Sequence, residues 1–263
     1  MRKVLSRVYL VIVFLFLYAP ILLMIFYSFN DNPTSITIFK GFTLNNYFSL
    51  FKNEGAVEAL MNTLAVAGCS SVLSSLLGTT AAVGIYNVKK KRARDAIINV
   101  SNIPIINPEI VTGISLMLVF IAIFGNKLGF FTVLIAHVVF NTPYVILNIM
   151  PRLRRMDISM YEAALDLGCT PSQGFARVVL PEIFPGILAG FLTAFTYSLD
   201  DFVISYFTGG TFQTLSVYIN NSLKKGIKPW MLSLSGLLFV VVFLALLIIN
   251  IKDSRAEQNQ KSS

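Results

Sequence analysis

Six apolar segments, each long enough to cross a lipid bilayer, constrain what this chain can fold into. They lie at about Val8–Phe29, Leu60–Tyr86, Ala96–Phe124, Gly129–Met150, Gly186–Phe207 and Met231–Ile251. A helix needs roughly 20 apolar residues to span the hydrocarbon core. Because 55% of the 263 residues are hydrophobic, a soluble domain could not bury them all in one core. The sequence therefore predicts an all-α membrane protein with six transmembrane helices.

The basic residues predict how these helices are oriented. Of the 21 lysines and arginines, fifteen lie before the first span, between the second and third, in the 151–184 loop, or after the sixth. The other six lie in the alternate loops. Since loops rich in Lys and Arg stay in the cytoplasm, both termini and the 151–184 loop are predicted to be cytoplasmic. The net charge of +8 thus indicates topology rather than nucleic-acid binding.

Two of the spans have an unusual composition. The second carries small residues at three- and four-residue spacing, which favours close packing inside a helix bundle. These residues are Gly68, Ser71, Ser75, Gly78 and Ala82. The third contains Pro104 and Pro108, and because each removes a backbone donor, this helix is predicted to be kinked or broken near its middle.

The 151–184 loop has the most specific local pattern. Ser159 and Glu162 have the spacing of a capping box for a short helix, and Gly168 suits the left-handed position that ends it. The residues that predict the start of a second short helix are Thr170, Pro171 and Gln173. We expect a compact pair of helices on the cytoplasmic side.

The same loop carries a longer pattern. Glu-Ala-Ala is followed after three residues by Gly, and after nine more by an aliphatic residue, any residue, Leu and Pro. This pattern resembles the signature of the ABC-importer permease family, in which it implies a coupling helix seated in a cleft of a separate ATPase. The residues that would carry the coupling are Glu162, Ala163, Ala164, Asp166, Gly168, Val178, Leu180 and Pro181. Helix capping and helix preference would explain these residues singly, but not their fixed spacing.

Short motifs elsewhere extend the resemblance over nearly the whole chain. They are most similar to the second permease subunit of spermidine/putrescine importers. The motifs are Tyr18–Ile21, Ser28–Asn30, Gly41–Thr43, Asn46–Tyr47, Pro108–Val111 and Ser198–Val203. The resemblance implies the type I ABC-importer permease fold, a single transmembrane permease domain over residues 1–263, and a multi-pass location in a bacterial inner (plasma) membrane.

The resemblance also implies an assembly. We expect a second permease subunit, two ATPase subunits, and an extracytoplasmic polyamine-binding protein. The chain contains no G-x-x-x-x-G-K-[ST] phosphate loop, so ATP and Mg²⁺ are expected on the partner ATPase and no cofactor on this chain. No spacing of Cys, His or acidic residues predicts a metal site.

Three acidic residues lie inside predicted spans, where an ionised carboxylate costs about 2.5–3.5 kcal/mol on insertion scales. They are Glu109, Asp200 and Asp201. At about 1.5 Å per residue from the cytoplasmic helix ends, Glu109 and Asp200 reach a similar depth. A polyamine carries several positive charges, so carboxylates with aromatic walls could replace its water. The expected wall residues are Tyr144, Tyr197 and Phe202.

The two adjacent aspartates cannot share one role. Neighbouring residues on a helix diverge by about 100°, so Asp200 and Asp201 cannot both face one pore. Capping of a broken helix, pairing with a neighbour, or protonation are the alternatives for these acids. The lone His137 is interpreted as a hydrogen-bonded packing residue.

Other functions remain open at this point. A permease of the same class could carry another small solute, and composition alone admits an ATP-independent channel or carrier. An intramembrane aspartyl protease is disfavoured because adjacent helical aspartates do not converge on one water, and no serine-histidine spacing replaces them.

Overall fold

The structure is a computed structural model that describes residues 2–31, 38–237 and 239–240, with side chains from residue 6 onward. The described residues form helices and connecting turns, with an isolated β-bridge between Asn30 and Phe42. The helices are α1 (Arg2–Ser28), α2 (Asn45–Lys52), α3 (Glu54–Tyr86), α4 (Lys91–Ser101), α5 (Ile103–Ile106), α6 (Glu109–Phe124), α7 (Phe130–Arg155), α8 (Ile158–Asp166), α9 (Pro171–Gly174), α10 (Leu180–Asp200), α11 (Val203–Thr208) and α12 (Leu215–Leu223), and residues 229–237 are also helical.

Four helical stretches of the described residues are long and apolar enough to cross a membrane. They are Ser6–Ser28, Glu54–Tyr86, Phe130–Arg155 and Pro171–Asp200. They match the predicted first, second, fourth and fifth spans, and Glu109–Phe124 is a shorter apolar helix. The prediction of an all-α protein with membrane-spanning helices is therefore confirmed. Of the predicted sixth span, residues 231–237 are helical, and residues 241–251 lie outside the described part.

Two of the predicted spans are interrupted. The third is divided into α4, α5 and α6, and the last break falls at Asn107 and Pro108, so the break expected from the prolines is confirmed. The fifth was predicted to be continuous from Gly186 to Phe207. This was wrong, because α10 ends at Asp200 and α11 begins at Val203.

The chain forms two compact units. One contains Met1–Val57 with Ile219–Ser263, and the other contains Glu58–Tyr218. In the first unit, polar contacts join the C-terminal end of α1 to α2. The Tyr47 hydroxyl lies 2.8 Å from Ser28 Oγ, and the Asn46 amide donates to the carbonyl oxygens of Ser28 and Asn30, each at 2.9 Å. Three of the resemblance motifs therefore meet at one corner.

The core of the second unit lies where α7 packs between α3 and α10. The small-residue face of α3 is buried, as predicted, with Ser71 and Ala82 fully inaccessible. Gly78 of α3 and Gly190 of α10 both contact Val145, and a Cβ on Gly190 would lie 3.1 Å from the Val145 Cα. Such close approach of backbones stabilises helix pairs in lipid, where no hydrophobic effect drives them together.

We predict that Gly78→Ala destabilises the protein. A Cβ at Gly78 would lie 2.6 Å from Cγ1 and 2.7 Å from Cβ of Val145, so α3 and α7 must separate. Overpacking of this kind costs roughly 1–3 kcal/mol, measurable as a lower free energy of unfolding in an SDS titration of the purified protein. Gly68→Ala is the matched control on the same helix, because its Cβ would meet nothing within 4 Å. Equal stability of the two variants would contradict the prediction.

Candidate functional site

The loop between α7 and α10 begins with α8, whose first turn is capped by Asp157. Its carboxylate accepts hydrogen bonds from the Ser159 hydroxyl at 2.8 Å and the Ser159 amide at 3.0 Å. Both bonds lower the pKa of Asp157, and the bond from the hydroxyl has the larger effect. The predicted capping box of Ser159 and Glu162 was wrong, because Asp157 supplies the cap two residues earlier. The Glu162 side chain is thereby left exposed.

The turn after α8 depends on Gly168. Its φ of +92° is left-handed, as predicted, and a side chain would strain it. The Cys169 amide donates to the Ala164 carbonyl at 3.1 Å, which closes the turn in the usual manner of a helix C-terminus. The chain therefore reverses sharply at the end of α8.

The second helix of the loop is not a separate short helix. Thr170 and Gln173 form the predicted capping box, but α9 continues through a π-helical turn at Phe175–Val179 into α10. Pro181 follows this turn and has no amide to donate, so a wider turn before it accommodates the missing bond. The expected compact pair is thus one short helix lying against the start of a helix of 30 residues, Pro171–Asp200.

One face of α8 and the turn after it is apolar and exposed. Met160 is 59% exposed, Leu167 is 88% exposed, and Ala163 between them is exposed as well. Residues spaced by three or four lie on one helix face. We call Met160, Ala163, Ala164 and Leu167 the apolar stripe. Leu167 is not among the coupling residues predicted from the sequence, although its spacing from Ala163 and Ala164 was a signal.

An adjacent face of α8 packs against the body of the unit. Tyr161 and Leu165 lie against Gly174, where a Cβ would come within 3.0 Å of the Tyr161 ring. Tyr161 also packs on the buried cluster that joins α3, α7 and α10. A force applied to α8 therefore acts on the ends of these three helices.

The two adjacent aspartates have different environments. Asp200 is the last residue of α10 and is exposed. The Asp201 side chain is 4% exposed, and its carboxylate accepts from the amides of Ile204 at 3.2 Å and Ser205 at 2.8 Å. Asp201 thus caps the first turn of α11 and satisfies amides that lipid could not. The placement of both acids within one helix was wrong.

His137 of α7 connects this break to the helix bundle. Its Nε2 lies 3.3 Å from the Asp201 carboxylate and 3.0 Å from Ser205 Oγ, and its Nδ1 lies 2.5 Å from Ser198 Oγ. Ser198 in turn lies 3.0 Å from Ser70 of α3. We call these five residues the polar clamp, and it joins α3, α7, α10 and α11.

The polar clamp contains a serine, a histidine and an aspartate in contact, which the sequence analysis did not find because 61 residues separate His137 from Ser198. It is not arranged for catalysis. Ser70, His137 and Ser198 are each 2% exposed or less, so a substrate could not reach the serine oxygens. The interpretation of His137 as a hydrogen-bonded packing residue agrees with this geometry.

The remaining predicted path residues divide into two groups. The Tyr144 and Tyr197 rings lie 4.5 Å apart, and Phe140 packs against both. The exposed Glu109 at the start of α6 interacts electrostatically with Tyr144. Phe202 instead stacks on Tyr206 at 5.4 Å. An exposed carboxylate that interacts with one ring of an aromatic pair is suited to bind an organic cation.

Comparison with known proteins identifies relatives over most of the chain. Residues 74–257 match the family of binding-protein-dependent transport system inner membrane components. The putrescine transport system permease protein PotI of Escherichia coli is 36% identical over 89% of this chain and 85% of its own. The spermidine/putrescine transport system permease protein PotC of Haemophilus influenzae is 32% identical over 95% and 96%.

A solved structure has the same fold. It is a bacterial alginate ABC transporter in complex with an alginate pentasaccharide-bound periplasmic protein, which this chain matches with a TM-score of 0.68 and 17% identity. The match covers 94% of this chain and 92% of that chain.

We predict that His137 and Asp201 are energetically coupled. Replacing either residue leaves the other buried without its acid–base partner, so His137→Leu and Asp201→Asn should each lower the free energy of unfolding by about 2 kcal/mol or more. Because both variants break the same contact, the double variant should lose less than the sum by about 1 kcal/mol. The same cycle with Asp200→Asn is the control and should be additive, since Asp200 is exposed. Additivity in both cycles would contradict the polar clamp.

Proposed function

This chain belongs to the family of binding-protein-dependent transport system inner membrane components, and on that premise we propose that it is a permease subunit of an ATP-driven importer of polyamines. Its 36% and 32% identical relatives are named for putrescine and for spermidine/putrescine transport. The observation that carries the substrate proposal is the exposed carboxylate of Glu109, which interacts electrostatically with Tyr144, whose ring lies 4.5 Å from that of Tyr197. The alternative within the class is another small organic cation.

We propose six transmembrane helices with both termini in the cytoplasm. The asymmetry of fifteen basic residues against six supports this orientation. In this orientation α8 would lie in the cytoplasm. The broken segment α4 to α6 is then the third span, and α10 with α11 is the fifth.

The cation path runs over the exposed face that carries Glu109, Tyr144, Tyr197 and Asp200. Tyr197 lies three residues before Asp200 in α10, so the two share one face of the helix. A polyamine passing there exchanges water for two carboxylates and the faces of aromatic rings. Asp201 does not contact the cation in this proposal, because its carboxylate is occupied by the polar clamp.

The apolar stripe of α8 is the docking surface for a partner ATPase. Leu167, at 88% exposure, is too apolar and too accessible to serve the fold of this subunit, and burial in a partner would stabilise the contact by roughly 1.5–3 kcal/mol. Glu162 and Asp166 of α8, and Leu180 and Pro181 at the start of α10, which the signature identified, are all exposed. They would add polar and apolar contacts beyond the stripe.

The proposed assembly contains a second permease subunit, two ATPase subunits that bind ATP and Mg²⁺, and an extracytoplasmic polyamine-binding protein. The solved alginate transporter was captured with its periplasmic protein, which supports the last partner. Closure of the ATPases would draw the α8 helices together and open the path outward. The binding protein would then release its cation onto the acidic face, and ATP hydrolysis would return the path to the inside.

We predict that Asp200→Asn weakens polyamine uptake while the assembly stays intact. A hydrogen bond to a charged group contributes roughly 1.5–3 kcal/mol, so uptake at low substrate should fall about 10- to 100-fold. Radiolabelled putrescine and spermidine uptake into proteoliposomes holding the complete transporter measures this. Glu58→Gln is the control, because Glu58 is an exposed acid in the first turns of α3, far in sequence from the path. Unchanged uptake in Asp200→Asn would remove this residue from the path.

We predict that Leu167→Glu separates the ATPase from this subunit. The substitution places a charge at the most exposed residue of the apolar stripe, and co-purification of ATPase with the tagged permease should fall by about tenfold or more. Ser172→Glu is the control, since Ser172 is exposed in the same loop but lies outside the stripe. ATPase recovered equally with both variants would place the docking surface elsewhere.

A further inference from the structure

A groove between α4 and the end of α7 has features of a ligand site that the transport proposal does not use. It encloses about 340 Å³. Its walls are apolar at Ile98, Ile146, Leu147 and Met150, and its rim is formed by Arg154 and Arg155. An apolar trough that ends in two guanidinium groups matches the shape of an anionic amphiphile.

No described acidic residue neutralises the positive charge at this groove. Neither Arg154 nor Arg155 forms an ion pair in the described part of the chain, where the acid–base pair found is His137 with Asp201. A guanidinium group recognises a phosphate through two parallel hydrogen bonds. Two adjacent, exposed arginines therefore leave donors for an anion.

A third arginine lies on the α4 side. Arg94 precedes Ile98 by four residues, so both lie on the same face of α4. The Nε atom of Arg94 is buried and has no hydrogen-bond partner among the described residues. A buried donor without a partner costs free energy unless an acceptor is supplied. An anion held between α4 and α7 would supply one.

The groove lies at the level of a lipid headgroup in the proposed topology. Arg154 and Arg155 are in the last turn of α7, and α4 begins in the basic segment Lys89–Arg94. The charge asymmetry places the end of α7 and the start of α4 on the cytoplasmic side in this topology. Apolar residues of α4 such as Ile97 and Val100 are exposed. Charge and depth together select a lipid of the inner leaflet over a soluble anion.

We propose that this groove binds one anionic phospholipid of the cytoplasmic leaflet, with its phosphate on Arg154, Arg155 and Arg94 and an acyl chain along Leu147 and Met150. This proposal rests on the orientation given under the proposed function. A lipid seated there would join α4 to α7 one turn before the loop that carries α8. Basic pockets between membrane helices bind such headgroups in other proteins.

The complete transporter, purified in mild detergent and depleted of lipid, is the protein to test. Native mass spectrometry with added phosphatidylglycerol should detect retained lipid, and phosphatidylcholine should not compete. Each basic residue near a membrane surface contributes about 1 kcal/mol. Phosphatidylglycerol should therefore bind roughly 25-fold more weakly to the double variant Arg154→Gln/Arg155→Gln.

Two further variants distinguish a specific lipid site from a general attraction of lipid to positive charge. Arg152→Gln removes the same charge from the same turn, but Arg152 lies against Gly186 of α10, so lipid affinity should stay within about twofold. Leu147→Trp fills the groove and should reduce retention without any change of charge. Equal loss in the Arg152 variant, or full displacement by millimolar inorganic phosphate, would overturn the proposal.

The outcomes also separate this proposal from the proposed function. If the double variant loses lipid but still imports polyamine with its ATPase bound, the site is real and transport does not depend on it. If lipid affinity is unchanged while import proceeds, only the lipid site fails. If a thiol-reactive probe on Arg155→Cys reacts from the outside, the orientation fails, and the proposed function fails with it.

Discussion

Hydrocarbon cannot hydrogen-bond to a peptide group, and this constraint governs how the chain is built. Every place where a membrane helix is interrupted must supply its own partners. At the end of α10, the Asp201 carboxylate accepts the amides of Ile204 and Ser205. The same carboxylate also lies 3.3 Å from Nε2 of His137, which fixes its position. The break is thus permitted by a carboxylate rather than by a glycine or a proline.

The same constraint explains why Asp200 is available for function. A carboxylate inside a bilayer has to be paired, face water, or lose its charge. Asp201 is paired and stabilises the break between α10 and α11. Asp200, one residue earlier, remains exposed. The sequence predicted that the two acids must differ, because helical geometry turns neighbours apart. It did not indicate which one is buried, since that depends on a histidine 64 residues earlier in the chain.

Much of the fold was predicted from local sequence patterns. The main feature that was not predicted depends on contacts between residues far apart in the chain. Apolar length predicted the four long spans found among the described residues, the prolines predicted the broken third span, and Gly168 and the Thr170–Gln173 box predicted the turn and the start of α9. The break at Asp201 was missed because no Gly or Pro lies between Leu199 and Val203. The one local signal was that Asp is a favoured N-cap. The cap at Asp157 was missed because Ser159 and Glu162 had the spacing of a better-known motif.

The polar clamp and α8 both contact the helices α7 and α10. Pro171–Asp200 is one helical stretch of 30 residues, about 45 Å long, that runs from the loop to the exposed acid. At its far end, Ser198 is bonded to His137 of α7. At its near end, Tyr161 of α8 packs on the cluster shared by α7 and α10. Because α7 and α10 are joined at both ends and closely packed at Gly186 and Gly190, they resist sliding past each other. In the proposed assembly, displacement of α8 would therefore move them as one body and carry Asp200 with it.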